Sequence, residues 1–209
     1  MTDLGGMYRA ARVRTSALVT ADGVDPDLVV AATPEWTVHD VVAHLVGVAT
    51  DAATGNMAGA PGDEWTAAQV RRGAGKSIAE LVDEWGPHAE LMEGFLSGAD
   101  PYSGAGAGVL DIHTHEADLR TAMGLPLEFD EEFLAFAGEW VRRAFRSRVD
   151  EAGLSPVELD CDDLSVFRGL FGRRTEAEVC ALGWSSDPAP YLDVFFVFGR
   201  APESLGERV

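Results

Sequence analysis

The chain has 209 residues, 46% of them hydrophobic, and a formal net charge of -19 at pH 7. This charge argues against a nucleic acid or an anionic membrane as the partner, because both bind clustered positive surfaces. No apolar run approaches the roughly 20 residues that a membrane span requires. The N-terminus shows no signal-peptide pattern, so we expect a soluble, cytoplasmic protein with one substantial core.

Apolar residues recur with a period of 3.6 along most of the chain, which predicts helices. The predicted helices cover residues 4–21, 37–58, 64–72, 76–96, 107–123 and 131–152. The glycine-rich stretch from Asp100 to Gly108 is predicted to be a flexible loop. Four of the helices are long, as in an up-and-down bundle that projects ligands inward from facing helices.

The pattern after Gly153 is mixed. Val157 to Asp160 fits a short strand or an extended segment, whereas residues 164–182 and 189–198 favour helix, the latter being also a passable β pattern. We therefore predict an all-α protein, with a helical bundle of residues 1–152 and a short, mostly helical extension of residues 153–209 packed on it. The two cysteines, 161 and 180, are expected to be buried free thiols.

The second predicted helix carries a histidine close to its apolar stripe. Thr37 is a candidate N-cap, and Asp40 three residues later resembles the partner of a capping box, so the helix should start near Val38. Helical spacing puts His44 within about 60° of the apolar stripe, facing inward or nearly so. His44 is then either a buried histidine satisfied by one hydrogen bond or a metal ligand.

The fifth predicted helix contains the sequence DIHTHEADLR at residues 111–120. Helical spacing places Asp111, His115 and Asp118 on one face, whereas His113 points away. A carboxylate and an imidazole one turn apart are ligands that zinc and its first-row neighbours accept. The two residues could instead be a pair on the helix surface. A metal site would need a third ligand from elsewhere, for which the histidine of the second helix is the best candidate.

Three segments resemble a known family. The sequence TPEWTVHDVVAHLVGV at residues 33–48 resembles the signature of the mycothiol-dependent maleylpyruvate isomerase family, part of the DinB-like metal-binding superfamily. The family's second motif has a carboxylate four residues before a histidine and then Asp-(Ile/Leu)-Arg, and residues 111–120 resemble it. The sequence FRGLFGRRTEAEV at residues 167–179 resembles the tail of the shorter members.

The resemblance implies a DinB-like four-helix bundle with a divalent metal, zinc first among the candidates, on His44, Asp111 and His115. The family's carboxylate is usually Glu, so the shorter Asp111 implies an ion closer to this helix or bridged by water. The resemblance also implies mycothiol as a cosubstrate whose thiolate acts on a small electrophile, by isomerisation or S-transfer. Asp118 and Arg120 would be catalytic groups that support the metal site or orient the substrate, although Asp118 could equally have a structural role as a cap or as the partner of Arg120.

Arginines stand out against the acidic background. Arg142, Arg146 and Arg173 are candidates for binding the thiol or an anionic substrate, since guanidinium groups hold carboxylates through two hydrogen bonds. Alternatively, they pair with nearby acids such as Glu139. The expected partners are a small-molecule substrate and a low-molecular-weight thiol, and the chain is expected to be a monomer or a homodimer. A non-catalytic metal-binding or ligand-sensing bundle is the alternative function.

Overall fold

The structure is a computed structural model that describes residues 2–208. Helices account for 59% of the chain, which confirms the all-α prediction. The elements are α1 (Leu4–Val19), α2 (Val38–Thr54), α3 (Asp63–Gly73), α4 (Ile78–Leu96), α5 (Gly104–Ala122), α6 (Glu131–Glu151), β1 (Leu159–Asp160), α7 (Asp163–Leu170), α8 (Glu176–Cys180), β2 (Gly183–Trp184), a 3-10 turn (Ala189–Tyr191) and α9 (Leu192–Phe195). The strands β1 and β2 pair antiparallel.

The chain divides into two compact units, Met1–Leu125 and Pro126–Val209. The first unit contains α1 to α5 and the second contains α6 to α9 with the small sheet. The domain boundary proposed after residue 152 stays a prediction. Within residues 2–208, no helix is both long and apolar enough to cross a membrane.

The first unit is a bundle of the helices α1 to α5. Both α1 and α2 pack against α4 and α5, and α3 packs on α2. The core between them is mostly apolar, and one polar contact within it joins two aromatic residues: Trp85 Nε1 donates to the hydroxyl of Tyr8 over 3.2 Å. The apolar faces of these helices are therefore buried against one another.

The start of α2 confirms the predicted capping box. The backbone nitrogen of Asp40 donates to the hydroxyl of Thr37, and the Asp40 carboxylate accepts from the backbone nitrogen of Thr37 over 3.0 Å. The helix begins at Val38, as predicted, and ends before Gly55, whose φ of +76° suits glycine. This cap sets the rotational position of every later residue on α2.

Two predicted boundaries are wrong for identifiable reasons. The expected flexible loop extends only to Ser103, whose hydroxyl accepts from the backbone of Ala105, so α5 already begins at Gly104. The predicted helix 164–182 is interrupted at Gly172, where φ is +78° and a Cβ would lie 2.8 Å from the Phe198 carbonyl oxygen. A side chain there would be both strained and blocked.

Two smaller expectations in the tail also need correction. The predicted helix 189–198 is a 3-10 turn followed by α9, which ends at Phe195. Both cysteines are free thiols, but neither is buried, because Cys180 is exposed and Cys161 is partly exposed. The extended segment predicted near residue 157 contains β1.

Replacing Gly47 with alanine should lower the free energy of unfolding by about 1–3 kcal/mol. A Cβ at Gly47 would lie 2.4 Å from Cβ of Gln69 and 3.2 Å from its Cα, so α2 and α3 would have to move apart. Chemical denaturation of the purified protein measures this change.

Gly94 provides the matched control. It lies within α4 with no heavy atom within 4 Å of an added Cβ. Gly94→Ala should therefore stabilise the protein by about 0.5–1 kcal/mol through lower backbone entropy in the unfolded chain. Equal effects of the two substitutions would contradict the close contact of α2 with α3.

Candidate metal centre

Three side chains from two helices of the first unit converge. His44 comes from α2, and Asp111 and His115 lie one turn apart on α5. Asp111 Oδ2 lies 3.5 Å from Nε2 of His44, and Asp111 Oδ1 lies 3.6 Å from Nε2 of His115. One ligand atom of each residue lies within 4.8 Å of the other two. The carboxylate thus lies between the two imidazoles, and we call these three residues the ligand cluster.

The distances and donor types of the ligand cluster fit a divalent ion. A first-row ion binds nitrogen and oxygen at roughly 2.0 to 2.2 Å, so two ligands on a tetrahedral ion lie about 3.4 Å apart. The two distances from the carboxylate, 3.5 and 3.6 Å, are close to this value. Three protein ligands would also leave a coordination position for another group. The shorter Asp111 in place of Glu still reaches both imidazoles.

The outer nitrogens of both imidazoles face hydrogen-bond acceptors. Nδ1 of His44 lies 2.8 Å from Oε1 of Gln69, and Nδ1 of His115 lies 3.3 Å from Oδ2 of Asp118. Burial lowers the pKa of His115, although Asp118 and Asp111 oppose this effect, so the ring is neutral near pH 7. A neutral imidazole that donates through Nδ1 keeps a lone pair on Nε2, which is the form that binds a metal.

Trp36 covers one side of the cluster. Its ring centroid lies 5.1 Å from that of His44 and 5.8 Å from that of His115. The loop that carries Trp36 is held to the preceding chain by a hydrogen bond from the backbone nitrogen of Val30 to the Trp36 carbonyl. The Asp111 side chain is 31% exposed, whereas both histidine side chains are buried. Solvent therefore reaches part of the Asp111 side chain, whereas its Oδ2, the oxygen near His44, is buried.

His113 lies outside the cluster, as its helical position predicted. Its Nδ1 is 2.8 Å from the carbonyl oxygen of Val109, one turn earlier on α5. Burial lowers the pKa of His113 to about 3, which keeps the ring neutral. This histidine is a core residue of the helix.

Arg120 contacts an acid on its own helix. Its Nε lies 3.4 Å from Oε1 of Glu116, and Arg14 of α1 binds the same carboxylate through two hydrogen bonds of 2.7 and 2.9 Å. Glu116 is buried, and burial raises its pKa against the opposing effect of both guanidinium groups. Asp118 faces His115 instead. The catalytic roles suggested for Asp118 and Arg120 stay predictions.

The three arginines suggested for cofactor binding lie in the second unit, each with partners there. Arg142 pairs with Asp163 and donates to a backbone carbonyl of residue 161. Arg146 lies 3.7 Å from Glu139, and Arg173 donates to the carbonyl of residue 171. The ligand cluster belongs to the first unit. The proposed role of these arginines in binding a thiol or an anion stays a prediction.

A comparison with protein families tests the resemblance inferred from the sequence motifs. A family model described as the mycothiol maleylpyruvate isomerase N-terminal domain matches residues 8–127, more than half of the chain. The chain belongs to this family. Comparisons with curated proteins and with solved structures gave no match. The part that matches the mycothiol maleylpyruvate isomerase domain includes all three residues of the ligand cluster and nearly all of the first unit.

Sequence reasoning missed two residues that surround the cluster in this domain. Trp36 lies directly before the capping box, so its place in the first motif was an available signal. Gln69 lies 25 residues from His44 on a different helix, and no local pattern distinguishes it from a surface glutamine. Its contact with the histidine becomes visible only when α2 and α3 are packed together.

Replacing Arg14 with methionine should destabilise the protein by about 3–5 kcal/mol, because the buried Glu116 carboxylate would lose its two-bond partner. Adding Glu116→Gln should recover part of this loss, since a neutral amide needs no counter-ion. Thermal and urea unfolding measure both effects.

The control for this prediction is Arg9→Met. The Arg9 side chain is largely exposed and binds Glu93, which also accepts from Arg12. Its removal should change the melting temperature little. If Arg14→Met were as mild as Arg9→Met, the buried ion pair would not contribute as the structure indicates.

Proposed function

We propose that the ligand cluster holds a divalent ion, zinc first among the candidates, and that the protein uses mycothiol to act on a small electrophilic substrate. The convergence of two imidazole Nε2 atoms on one carboxylate, with both Nδ1 atoms turned to acceptors, carries this proposal. Membership in the mycothiol maleylpyruvate isomerase family supports the choice of thiol. The family alone does not determine the substrate, so we name only its class.

The chemistry of this proposal is thiol addition to an electron-poor alkene. A bound divalent cation would lower the pKa of a thiol and keep it as the thiolate at neutral pH. The thiolate sulfur bonds to one alkene carbon, and the π electrons move to the activating carbonyl group. The former double bond can then rotate before sulfur leaves and the alkene re-forms, which is isomerisation. If the neighbouring carbon takes a proton instead, sulfur stays attached, which is S-transfer.

The residues around the cluster have separate parts in this chemistry. Asp118 orients the His115 ring, and Trp36 excludes water from the side it covers. The exposed edge at Asp111 is the side from which a thiol and a substrate would enter. Arg120 contacts Glu116, which follows His115 on α5, and its proposed role is to support the metal site or to orient the substrate.

A ligand-sensing or non-catalytic metal-binding bundle is the second candidate. One observation favours it: a cavity of about 290 Å³ in the first unit is lined by Gln69, Arg72, Lys76 and other residues of the α2 to α4 region. Among the described residues, its lining does not include the ligand cluster. Assays of metal-loaded protein with mycothiol and a panel of electrophiles distinguish the candidates, because only the enzyme turns over.

The first prediction from this proposal is that the ligand cluster binds one ion per chain. His44→Ala and His115→Ala should each lose the ion, because two remaining ligands bind a first-row metal far more weakly than three. Elemental analysis after dialysis against a weak chelator measures the content. His88→Ala, in α4 outside the cluster, serves as the control and should keep the metal. Stoichiometric metal in a variant lacking both cluster histidines would refute the assignment.

The second prediction is that the thiol acts at the metal. Mycothiol added to the cobalt-substituted protein should produce a new sulfur-to-cobalt charge-transfer band, because thiolate is a softer ligand than water. The S-methylated thiol, which cannot form a thiolate, is the control ligand. Intact turnover with an unchanged spectrum at saturating thiol would separate the thiol from the metal.

The third prediction tests the proposed anion-binding role of Arg120, Arg142, Arg146 and Arg173. Methionine at one of these positions should raise the KM for an anionic substrate or for the thiol, because a guanidinium partner of a carboxylate would be lost. Metal content and melting temperature, measured on the same samples, should stay near the wild-type values. Unaltered kinetics in all four variants would remove the arginines from the site.

A further inference from the structure

We propose that Asp51 and Gln69 determine the tautomer of His44, acting as positioning residues that turn its Nε2 lone pair toward Asp111. The inference rests on the proposed function, because the direction of the Nε2 lone pair matters for holding an ion. Its geometry can be tested without any metal. None of the motifs in the sequence includes either of these two residues.

A continuous chain of hydrogen bonds links Asp51 to His44. Oδ2 of Asp51 accepts from Nε2 of Gln69 over 2.9 Å, and Oε1 of the same amide lies 2.8 Å from Nδ1 of His44. Gln69 is 0% exposed and Asp51 is 2% exposed, so water does not compete for these contacts. The Asp51 carboxylate therefore sets the orientation of the Gln69 amide, and the amide in turn sets which nitrogen of the His44 ring carries the proton.

The direction of each hydrogen bond in this chain follows from chemistry. An ionised carboxylate can only accept, so the Gln69 group that faces Asp51 must be the NH₂. The amide oxygen is then at the opposite end, facing His44, and an oxygen can only accept as well. The ring must donate from Nδ1, which leaves the lone pair of the neutral imidazole on Nε2. Reversing the amide would place NH₂ against the ring and favour the other tautomer.

Asp51 itself is held as the charged form. Oδ1 accepts from Nδ2 of Asn56 over 2.8 Å, and Nη2 of Arg72 lies 2.8 Å from both carboxylate oxygens. Burial alone would raise the pKa of Asp51, but the hydrogen bonds from Gln69, Asn56 and Arg72 outweigh it and lower the pKa. The carboxylate is therefore ionised at neutral pH, and its demand for donors persists.

The other histidine of the cluster also has a carboxylate near its outer nitrogen. Asp118 faces Nδ1 of His115 directly, at 3.3 Å. Asp51 lies seven residues after His44 on α2 and does not contact its ring. The side chain of Gln69 on α3 bridges the two residues. Since the orienting acceptors of metal-bound histidines typically contribute 10- to 100-fold in affinity, the relay should matter for binding.

The experiment measures the tautomer of His44 in metal-free, histidine-¹⁵N-labelled protein by long-range ¹H–¹⁵N correlation at a slightly alkaline pH. His44→Ala assigns the resonances. In the wild type, the proton should be on Nδ1. In Gln69→Met, which keeps the side-chain length but removes the acceptor, and in Asp51→Asn, which lets the amide reverse, a substantial Nε2–H population should appear. Zinc affinity, by competition with a chelator, should fall about 10- to 100-fold in both.

The matched control is Asn56→Ala. Asn56 and Gln69 both donate an amide hydrogen to Asp51, but only Gln69 continues to the ring. Because Gln69 and Arg72 still donate to the Asp51 carboxylate, this variant should keep both the Nδ1–H tautomer and the wild-type zinc affinity. If Gln69→Met does not fold, Asp51→Asn alone carries the test, with the amide spectrum of the core as the check on folding.

The outcomes separate this inference from the proposed function. A His44 ring that keeps the proton on Nδ1 in Gln69→Met and Asp51→Asn overturns the relay, whether or not zinc binds. A change of tautomer in these variants but not in Asn56→Ala supports it. Wild-type protein that binds no divalent ion would refute the proposed function, while the tautomer result would still decide the relay.

Discussion

A buried carboxylate can accept hydrogen bonds but cannot donate them, and the arrangement of the first unit depends on this constraint. Asp51 applies it to His44 through the amide of Gln69, and an oxygen of Asp118 lies 3.3 Å from Nδ1 of His115. The His44 ring must then present its lone pair on Nε2, and the Nε2 atoms of both histidines face Asp111. The geometry of the ligand cluster is therefore determined by groups that would not touch the ion.

The same constraint accounts for four arginines of this unit. A buried carboxylate without a partner costs several kcal/mol, so a neighbouring cation stabilises an acid that the fold buries. Glu93 accepts from two arginines of α1, Glu116 accepts from Arg14, and Asp51 accepts from Arg72. These guanidinium groups join α1 to α4 and α5, and α3 to α2. Their first role is to hold the helices in place around the cluster.

Local signals in the sequence were sufficient for features that depend on helical phase. The capping box at Thr37 correctly predicted where α2 begins, and hence which way His44 faces. The spacing of Asp111 and His115 predicted their common face on α5. Gln69 could not be predicted in this way, because its role depends on the rotation and height of α3 against α2. Such quantities result from packing between helices and leave no periodic pattern.

Glycines show most clearly why packing cannot be deduced from local sequence. The run of glycines near Gly104 indicated a loop, yet it forms the first turns of α5, where a Cβ at Gly108 would lie 2.8 Å from Cε of Met92. Gly172 lies within a predicted helix and ends it instead. In sequence, a glycine that ends a helix looks the same as one that lets two helices approach.

The contact between α2 and α3 depends on glycines of the second kind. A Cβ at Gly47 would collide with Gln69, and a Cβ at Gly73 would lie 2.4 Å from Cβ of Ala43. With hydrogens at both positions, the two helix backbones come close enough for the amide of Gln69 to reach Nδ1 of His44 at 2.8 Å. A larger residue at either glycine would separate the helices before it touched the cluster. The orientation of His44 thus depends on glycine at positions 47 and 73 as well as on the amide of Gln69 that contacts the ring.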